Sequence, residues 1–306
     1  HIHSNSFILY IRSQRMYTLC MLQFGLRAHD FGKLPPEQLA LSLSYYKPSS
    51  IQLALTKALS GTPSESGMLT PGYARRIKKA FDAHDIAISV LGCYINPVHP
   101  DPHMRERALR KFEEHLAACR DFGCAVVGTE TGSCNADCSY NPLTQNKSTF
   151  DLLCSSVERM VRTAEKYGVR VGIEPVAHQH TIDSAEKMQR LIERIPSPNL
   201  SVIFDPVNLI PLTGFESSQE VFFDKAFDAF GDKIAVIHAK DFVLIDGKKK
   251  GDLPSGTGDL NYEVFFKKLI EKKPFIDVLL ENSIPSKLEE TFSFLQSVIT
   301  KISTVV

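Results

Sequence analysis

The sequence predicts an α/β chain folded as a single-domain (β/α)8 barrel of the TIM type. Three observations carry this. Short β-branched or apolar runs alternate with longer segments of helical period. There are eight such runs, with starts roughly 30 to 45 residues apart, the size of one βα unit. The runs are almost continuously apolar, as strands are when both faces of a sheet are covered. Eight units in a chain of 306 residues fit one barrel. An open doubly wound sheet is the runner-up. It is less favoured because "FGLRAHDFGKL" after the first run lacks a glycine-rich phosphate loop.

In chain order the expected strands are 21–27, 50–55, 86–92, 125–130, 169–174, 200–205, 234–239 and 276–281. Between them lie amphipathic segments. In 105–123, Ala108, Phe112, His115, Leu116 and Cys119 share one face, and Gly123 stands where a helix would end. Residues 148–168 open on Ser/Thr and stop at Gly168. Residues 181–195 are also amphipathic, and the aromatics at 222, 223, 227 and 230 recur at helical spacing, as core residues do. "GTGD" at 256–259 reads as a turn into a helix over 258–273, with Asp259 as its N-cap.

Composition narrows the function. Lys plus Arg and Asp plus Glu are both 35, so there is no basic excess of the kind nucleic acid attracts. The one dense basic run, "GKKKG" at 247–251, reads as a solvated loop tip. Seven scattered cysteines argue against a disulfide framework and for a reducing, cytoplasmic setting. Cys134 and Cys138 have no second pair to complete a metal site. No apolar run approaches the roughly 20 residues that span a bilayer. "FILYI" is too short for a signal-peptide core. Residues 1–15 are read as an extension ahead of Met16, with the barrel domain occupying 16–306.

In such barrels the site forms at the carboxyl ends of the strands. Four successive expected strands carry an ionisable group there: Glu174, Asp205 in "VIFDPVN", His238 in "AVIHAKD", and Glu281. A lone strand-end carboxylate is most often a helix cap or a surface charge. Four in succession are a pattern. Adjacent strand ends lie about 5 Å apart, so three carboxylates there repel unless some are protonated or a cation neutralises them. Three carboxylates and one imidazole suit Mn²⁺, Mg²⁺ or Co²⁺, with Zn²⁺ also open.

The motifs "GIEP" (172–175), "FDPVN" (204–208), "IHAKD" (237–241), "GTGDLNYE" (256–263) and "LLEN" (279–282) carry a family likeness. With "ISVLGCYINPVHPD" (88–101) and "VVGTETGS" (126–133), they make the chain resemble the xylose isomerase-like TIM-barrel superfamily of sugar-phosphate isomerases and epimerases. It is similar to ketose 3-epimerases, hydroxypyruvate isomerase and inosose-processing enzymes, and more distantly to endonuclease IV. The resemblance implies that Glu174 and Glu281 both bind metal and move protons, while Asp205 and His238 are fixed ligands. It also implies a carbohydrate substrate and leaves a homo-oligomer open. The chain departs from the 3-epimerases at three places. His180 stands for a second glutamate, Asn208 for a histidine and Leu244 for an arginine. The missing histidine and the neutral charge also speak against DNA repair.

Around this core, His180, Asn208, Lys240, Glu130 and His99 are candidate substrate contacts, each with a bland alternative. His180 can simply cap a helix, and Asn208 can orient a ligand rather than a substrate. Lys240 points to the same side as His238 and can instead pair with Asp241 or be held by Glu130. His99 in "NPVHPD" can be an ordinary turn residue. His29 in "RAHD" is a weaker candidate for the mouth, and His178 is expected to be exposed. The expectation is a divalent-metal-dependent isomerase or epimerase of a sugar, sugar phosphate or small hydroxy-keto acid, working through an enediolate. An inosose-type dehydratase and a non-catalytic carbohydrate-binding barrel are the alternatives.

Overall fold

The computed structural model describes residues 22–62 and 67–305. The expected extension over 1–15, Met16 and Cys20 lie outside the described residues. Eight parallel strands close into a barrel: β1 (Gln23–Arg27), β2 (Ser50–Leu53), β3 (Ala87–Gly92), β4 (Val126–Glu130), β5 (Arg170–Glu174), β6 (Leu200–Phe204), β7 (Ile234–Ala239) and β10 (Asp277–Leu280). All eight expected strands are present, with ends shifted by two residues or fewer. β1 pairs with β2 on one side and β10 on the other, which closes the ring.

Helices follow the strands: α1 (Pro36–Ser44), α2 (Leu55–Ala58), α3 (Pro71–Asp82), α4 (Pro102–Ala118), α5 (Lys147–Tyr167), α6 (Ala185–Arg194), α7 (Pro206–Leu209), α8 (Gln219–Phe230), α9 (Tyr262–Lys272) and α10 (Leu288–Val305). Their boundaries have local causes. The Asp101 side chain accepts from the His103 and Met104 amides and starts α4. Gly168, in the left-handed conformation at φ 63°, stops α5. Asn261 rather than Asp259 caps α9, because Asp259 Oδ2 is taken by the Leu244 amide at 2.9 Å.

The core has two parts. Inside the ring, Val90, Val126, Ile203, Val236 and Leu279 form a plug. A Cβ on Gly128 would lie 2.6 Å from Ile203 Cδ1, so glycine there makes room for it. Outside, a larger apolar layer packs strands against helices, and Phe81, Phe112, Phe223 and Phe265 are fully buried in it. The six described cysteines are free thiols. Among the described residues, no helix is long and apolar enough to cross a membrane.

One element departs from the expectation. The "GKKKG" run is not a loop tip. It belongs to a two-stranded antiparallel hairpin, β8 (Asp241–Ile245) and β9 (Lys248–Leu253), inserted between β7 and α9. Asp246 and Gly247 join the strands, both at positive φ (51° and 69°). That is the turn an Asp-Gly pair makes when two strands are joined tightly. Lys248 and Lys250 face water, whereas Lys249 is half-buried. Its Nζ donates to the carbonyls of Val207 (2.7 Å) and Ile210 (2.6 Å), which fastens the hairpin over the end of β6.

Candidate metal centre

The carboxyl ends of β5, β6, β7 and β10 are consecutive around the ring. Glu174 is the last residue of β5. Asp205 follows β6 and caps α7, accepting from the Asn208 amide, with Pro206 at the first helical position. His238 lies within β7, and Glu281 directly follows β10. Relative exposure is 2% for Glu174, 0% for Asp205 and His238, and 4% for Glu281. Three carboxylates this deep are costly unless countercharged.

Part of that countercharge is the chain's own. His238 Nδ1 lies 3.2 Å from Glu174 Oε2 and 3.3 Å from Glu281 Oε1. Lys240 Nζ lies 3.2 Å from Asp205 Oδ2 and 3.5 Å from Glu281 Oε2. Arg27, at the end of β1, places Nη1 3.3 Å from Glu281 Oε2 and Nε 2.8 Å from Asp30 Oδ1. Burial alone would push the His238 imidazole down, but Glu281 and Glu174 outweigh it and hold it up at about 9. Burial would raise Glu281. His238, Lys240 and Arg27 override this and keep it well below the usual carboxylate range. At Asp205 burial wins over Lys240, and its carboxyl is pushed upward. Charge repulsion alone therefore does not demand a metal here, because Lys240, Arg27 and the protonated His238 already relieve it.

The unmet hydrogen-bonding capacity is stronger evidence. Among the described residues, His238 Nε2 has no polar partner, and His238 Nδ1 and Asp205 Oδ2 have only the ion-pair contacts at 3.2–3.3 Å, although all three atoms are buried. Leaving the Nε2 of His238 without a partner costs about 1–3 kcal/mol. One ligand atom each from Glu174, Asp205 and His238 falls within 4.8 Å of the others. That spacing, with two hard oxygens and one imidazole, fits a divalent cation. These three residues would hold it. Glu281 adjoins the group through His238 but is also engaged by Arg27 and Lys240.

The other predicted contacts are mostly gathered in the same cleft. Glu130, Glu174, His180, Asn208, Lys240 and Glu281 all line it. Asn208 Nδ2 donates to Glu174 Oε1 at 2.6 Å, so it positions a ligand. His180 is buried, with Nδ1 unpartnered and 3.8 Å from Glu130 Oε2. Glu130 thus faces His180 and does not hold Lys240. Nor does Lys240 pair with Asp241, whose carboxylate accepts from the amides of Phe242, Gly256 and Leu260. His99 is not in the cleft. Its Nδ1 accepts from the Asp101 amide at 3.1 Å and its carbonyl from Arg105 at 2.6 Å, so the turn before α4 consumes it. His178 stacks on Tyr140 with centroids 4.2 Å apart, away from the cleft lining. His29 does line the cleft, and burial first, then Arg27, lowers it to about 4.

Sequence reasoning missed Asp252 and Tyr94, which also line the cleft, and placed Arg27 there only as part of "RAHD". Arg27 ends a strand as Glu174 does, so the same signal points to it. Tyr94 follows β3 by two residues, with its hydroxyl accepting from Gln52 Nε2. Asp252 arrives on the hairpin, whose Asp-Gly turn was the available signal.

The fold and the strand-end site together define a class, the (β/α)8 barrels with a buried carboxylate–histidine centre at the strand ends. The family model of the xylose isomerase-like TIM barrel matches residues 50–298. The chain belongs to that family. No curated protein sequence matches it. Among solved structures, it is similar to a D-tagatose 3-epimerase-like protein, with TM-score 0.72, 16% identity, and coverage of 92% of this chain and 98% of that one. It is also similar to a xylose isomerase-like TIM barrel protein from Mycobacterium smegmatis in complex with magnesium, with TM-score 0.70, 13% identity, and coverage of 94% and 99%. A third is the IOLI protein with a bound zinc atom, with TM-score 0.62, 16% identity, and coverage of 92% and 98%.

Proposed function

We propose that the chain is a divalent-metal-dependent isomerase or epimerase of a sugar, sugar phosphate or small hydroxy-keto acid, moving a carbon-bound proton through an enediolate. The observation that carries this reading is the buried cluster of Glu174, Asp205 and His238, with the Nε2 of His238 left without a partner. Family membership and epimerase-like neighbours support it. The metal is Mn²⁺, Mg²⁺ or Co²⁺ in preference to Zn²⁺, by the oxygen-rich donor set.

When bound, the cation acidifies a C–H beside a carbonyl and offsets the charge that develops. The chain supplies the rest. Glu174 and Glu281 enter the cleft from β5 and β10, separated by β6 and β7, so they address a substrate from different sides. One takes the proton and the other returns it. Asn208 fixes Glu174 by its 2.6 Å bond, leaving Oε2 directed at His238. Arg27 holds Glu281 by an ion pair at 3.3 Å. Lys240, buried at the mouth, is placed to offset negative charge on the substrate oxygens. His180 contributes a buried, unpartnered imidazole where ketose 3-epimerases carry a carboxylate. Its neutral ring offers a hydrogen bond without a full charge.

The test is solvent exchange. The Mn²⁺-loaded or Co²⁺-loaded protein is incubated in D₂O with a panel of ketoses, sugar phosphates and hydroxy-keto acids and followed by NMR. Incorporation of deuterium at one carbon of a panel member, lost in Glu174→Gln, is expected. If no compound exchanges under either metal, proton-transfer isomerisation fails as the reading.

A further inference from the structure

Lys240 stands between two demands. Its Nζ touches Asp205 (3.2 Å), which a divalent cation would also claim, and Glu281 (3.5 Å), which adjoins that centre. Two cations cannot both be served fully by the same oxygens, and like charges this close repel. Among the described residues, Lys240 has one further ion-pair partner. Asp252 Oδ1 lies 3.1 Å away and comes from the hairpin rather than from a barrel strand.

The hairpin delivers Asp252 by a specific device. Asp241 pairs with Leu253 and Val243 with Lys250, so β8 advances two residues while β9 advances three. The extra residue makes a bulge, the irregularity that re-aims a side chain next to a site. Asp252 takes the left-handed conformation there, at φ 66°. Three residues earlier on the same strand, Lys249 is anchored to the carbonyls of Val207 and Ile210. β9 therefore joins the turn after Asp205 to the ammonium of Lys240. The Asp252 side chain is itself 75% exposed, so no packing requirement explains its placement.

We propose that Asp252 is a positioning residue for the metal centre. It is the counter-charge that holds Lys240 at the mouth once Asp205 turns to a divalent cation. This rests on the metal reading above and adds to it a residue outside the strand-end set. Among the described residues, Lys240 without Asp252 is left with Asp205 and Glu281 and competes with the cation for Asp205.

The test is Mn²⁺ affinity of the full chain by electron paramagnetic resonance, a readout independent of turnover. Asp252→Asn weakens Mn²⁺ binding by roughly 2- to 160-fold, the range of coupling between groups in contact. Asp252→Glu restores it. In a Lys240→Met background, Asp252→Asn has no further effect, because the competitor is gone. The same weakening in both backgrounds would reduce Asp252 to a through-space charge and overturn the proposal. Unchanged affinity in Asp252→Asn alone would overturn it as well. Failure of the unsubstituted chain to bind Mn²⁺ at all would instead remove the metal reading, and this proposal with it.

Discussion

Asn208 donates its side-chain amide to Glu174 Oε1 at 2.6 Å, tying the residue after one barrel strand to the carboxylate that ends its neighbour. Its backbone amide donates to Asp205 Oδ1 at 3.1 Å, so one residue orients two of the three clustered metal-ligand candidates. Groups that orient ligands in this way typically change metal affinity by about 10- to 100-fold when removed. Asn208→Ala is therefore expected to weaken Mn²⁺ binding by roughly 10-fold. Isothermal titration calorimetry checks this, and circular dichroism confirms that the fold is retained.

Arg27 is expected to matter for stability as well as for the site. It bridges Asp30 and Glu281 and donates from Nη2 to Asn282, joining the start of the barrel to its last strand. Removing one partner of a buried pair strands the other charge. The Arg27 side chain is 19% exposed, so the cost is softened, and Arg27→Ala should lose about 2–3 kcal/mol in urea unfolding. A loss below about 0.5 kcal/mol would mean that solvent screens the pair, as at an exposed surface.

His180 predicts a pH dependence. Burial is the main cause that lowers it to about 4 in the folded protein, against about 6.5 unfolded. Between those values the unfolded chain binds the extra proton, so stability rises with pH. The His180 contribution is fully present above about pH 6.5 and is lost as pH falls toward 4, on the order of 3 kcal/mol at most. His238 has the opposite sign: raised to about 9, its contribution is complete below about pH 6.5 and is lost as pH rises through 9. The difference in unfolding free energy between the unsubstituted chain and His180→Gln isolates the His180 effect. It should grow steadily as pH rises from about 4 to 6.5. A flat difference would contradict a buried neutral imidazole.

Barrel closure gives a prediction remote from the chemistry. A Cβ on Gly25 would meet the Ser50 carbonyl oxygen and Leu279 Cδ2, each at 2.5 Å. The β1 backbone cannot retreat from both neighbouring strands. Gly25→Ala should cost about 1–3 kcal/mol in thermal or urea unfolding, by overpacking. An unchanged midpoint would show that the ring relaxes at that seam.

The parts of this molecule that were legible in the sequence are those with local causes. Parallel strands buried on both faces read as continuous apolar runs, so all eight staves could be found. Glu174, Asp205, His238 and Glu281 stood out because each interrupts such a run. Asn208 and Lys240 follow at short fixed distances, and the structure brings them into the same cleft. What the sequence hid depends on pairing between distant segments. Nothing near Arg27 announces that Glu281, at the far end of the chain, will be its partner. Nothing in "GKKKGD" says that a bulge will turn Asp252 toward Lys240, although the preceding Asp246-Gly247 marks the hairpin that carries it. His99 misled because a loop after a strand resembles a mouth contact until its turn hydrogen bonds are seen.

The central claim is a divalent-cation centre built on Glu174, Asp205 and His238. Its most direct test is Mn²⁺ binding to the dialysed protein, compared with Asp205→Asn and His238→Gln variants shown by circular dichroism to be folded. The account predicts one tight site per chain, lost or weakened at least about 100-fold in each variant, the loss of a direct ligand exceeding that of an orienting group. No binding to the unsubstituted chain, or equal binding by the variants, would contradict it.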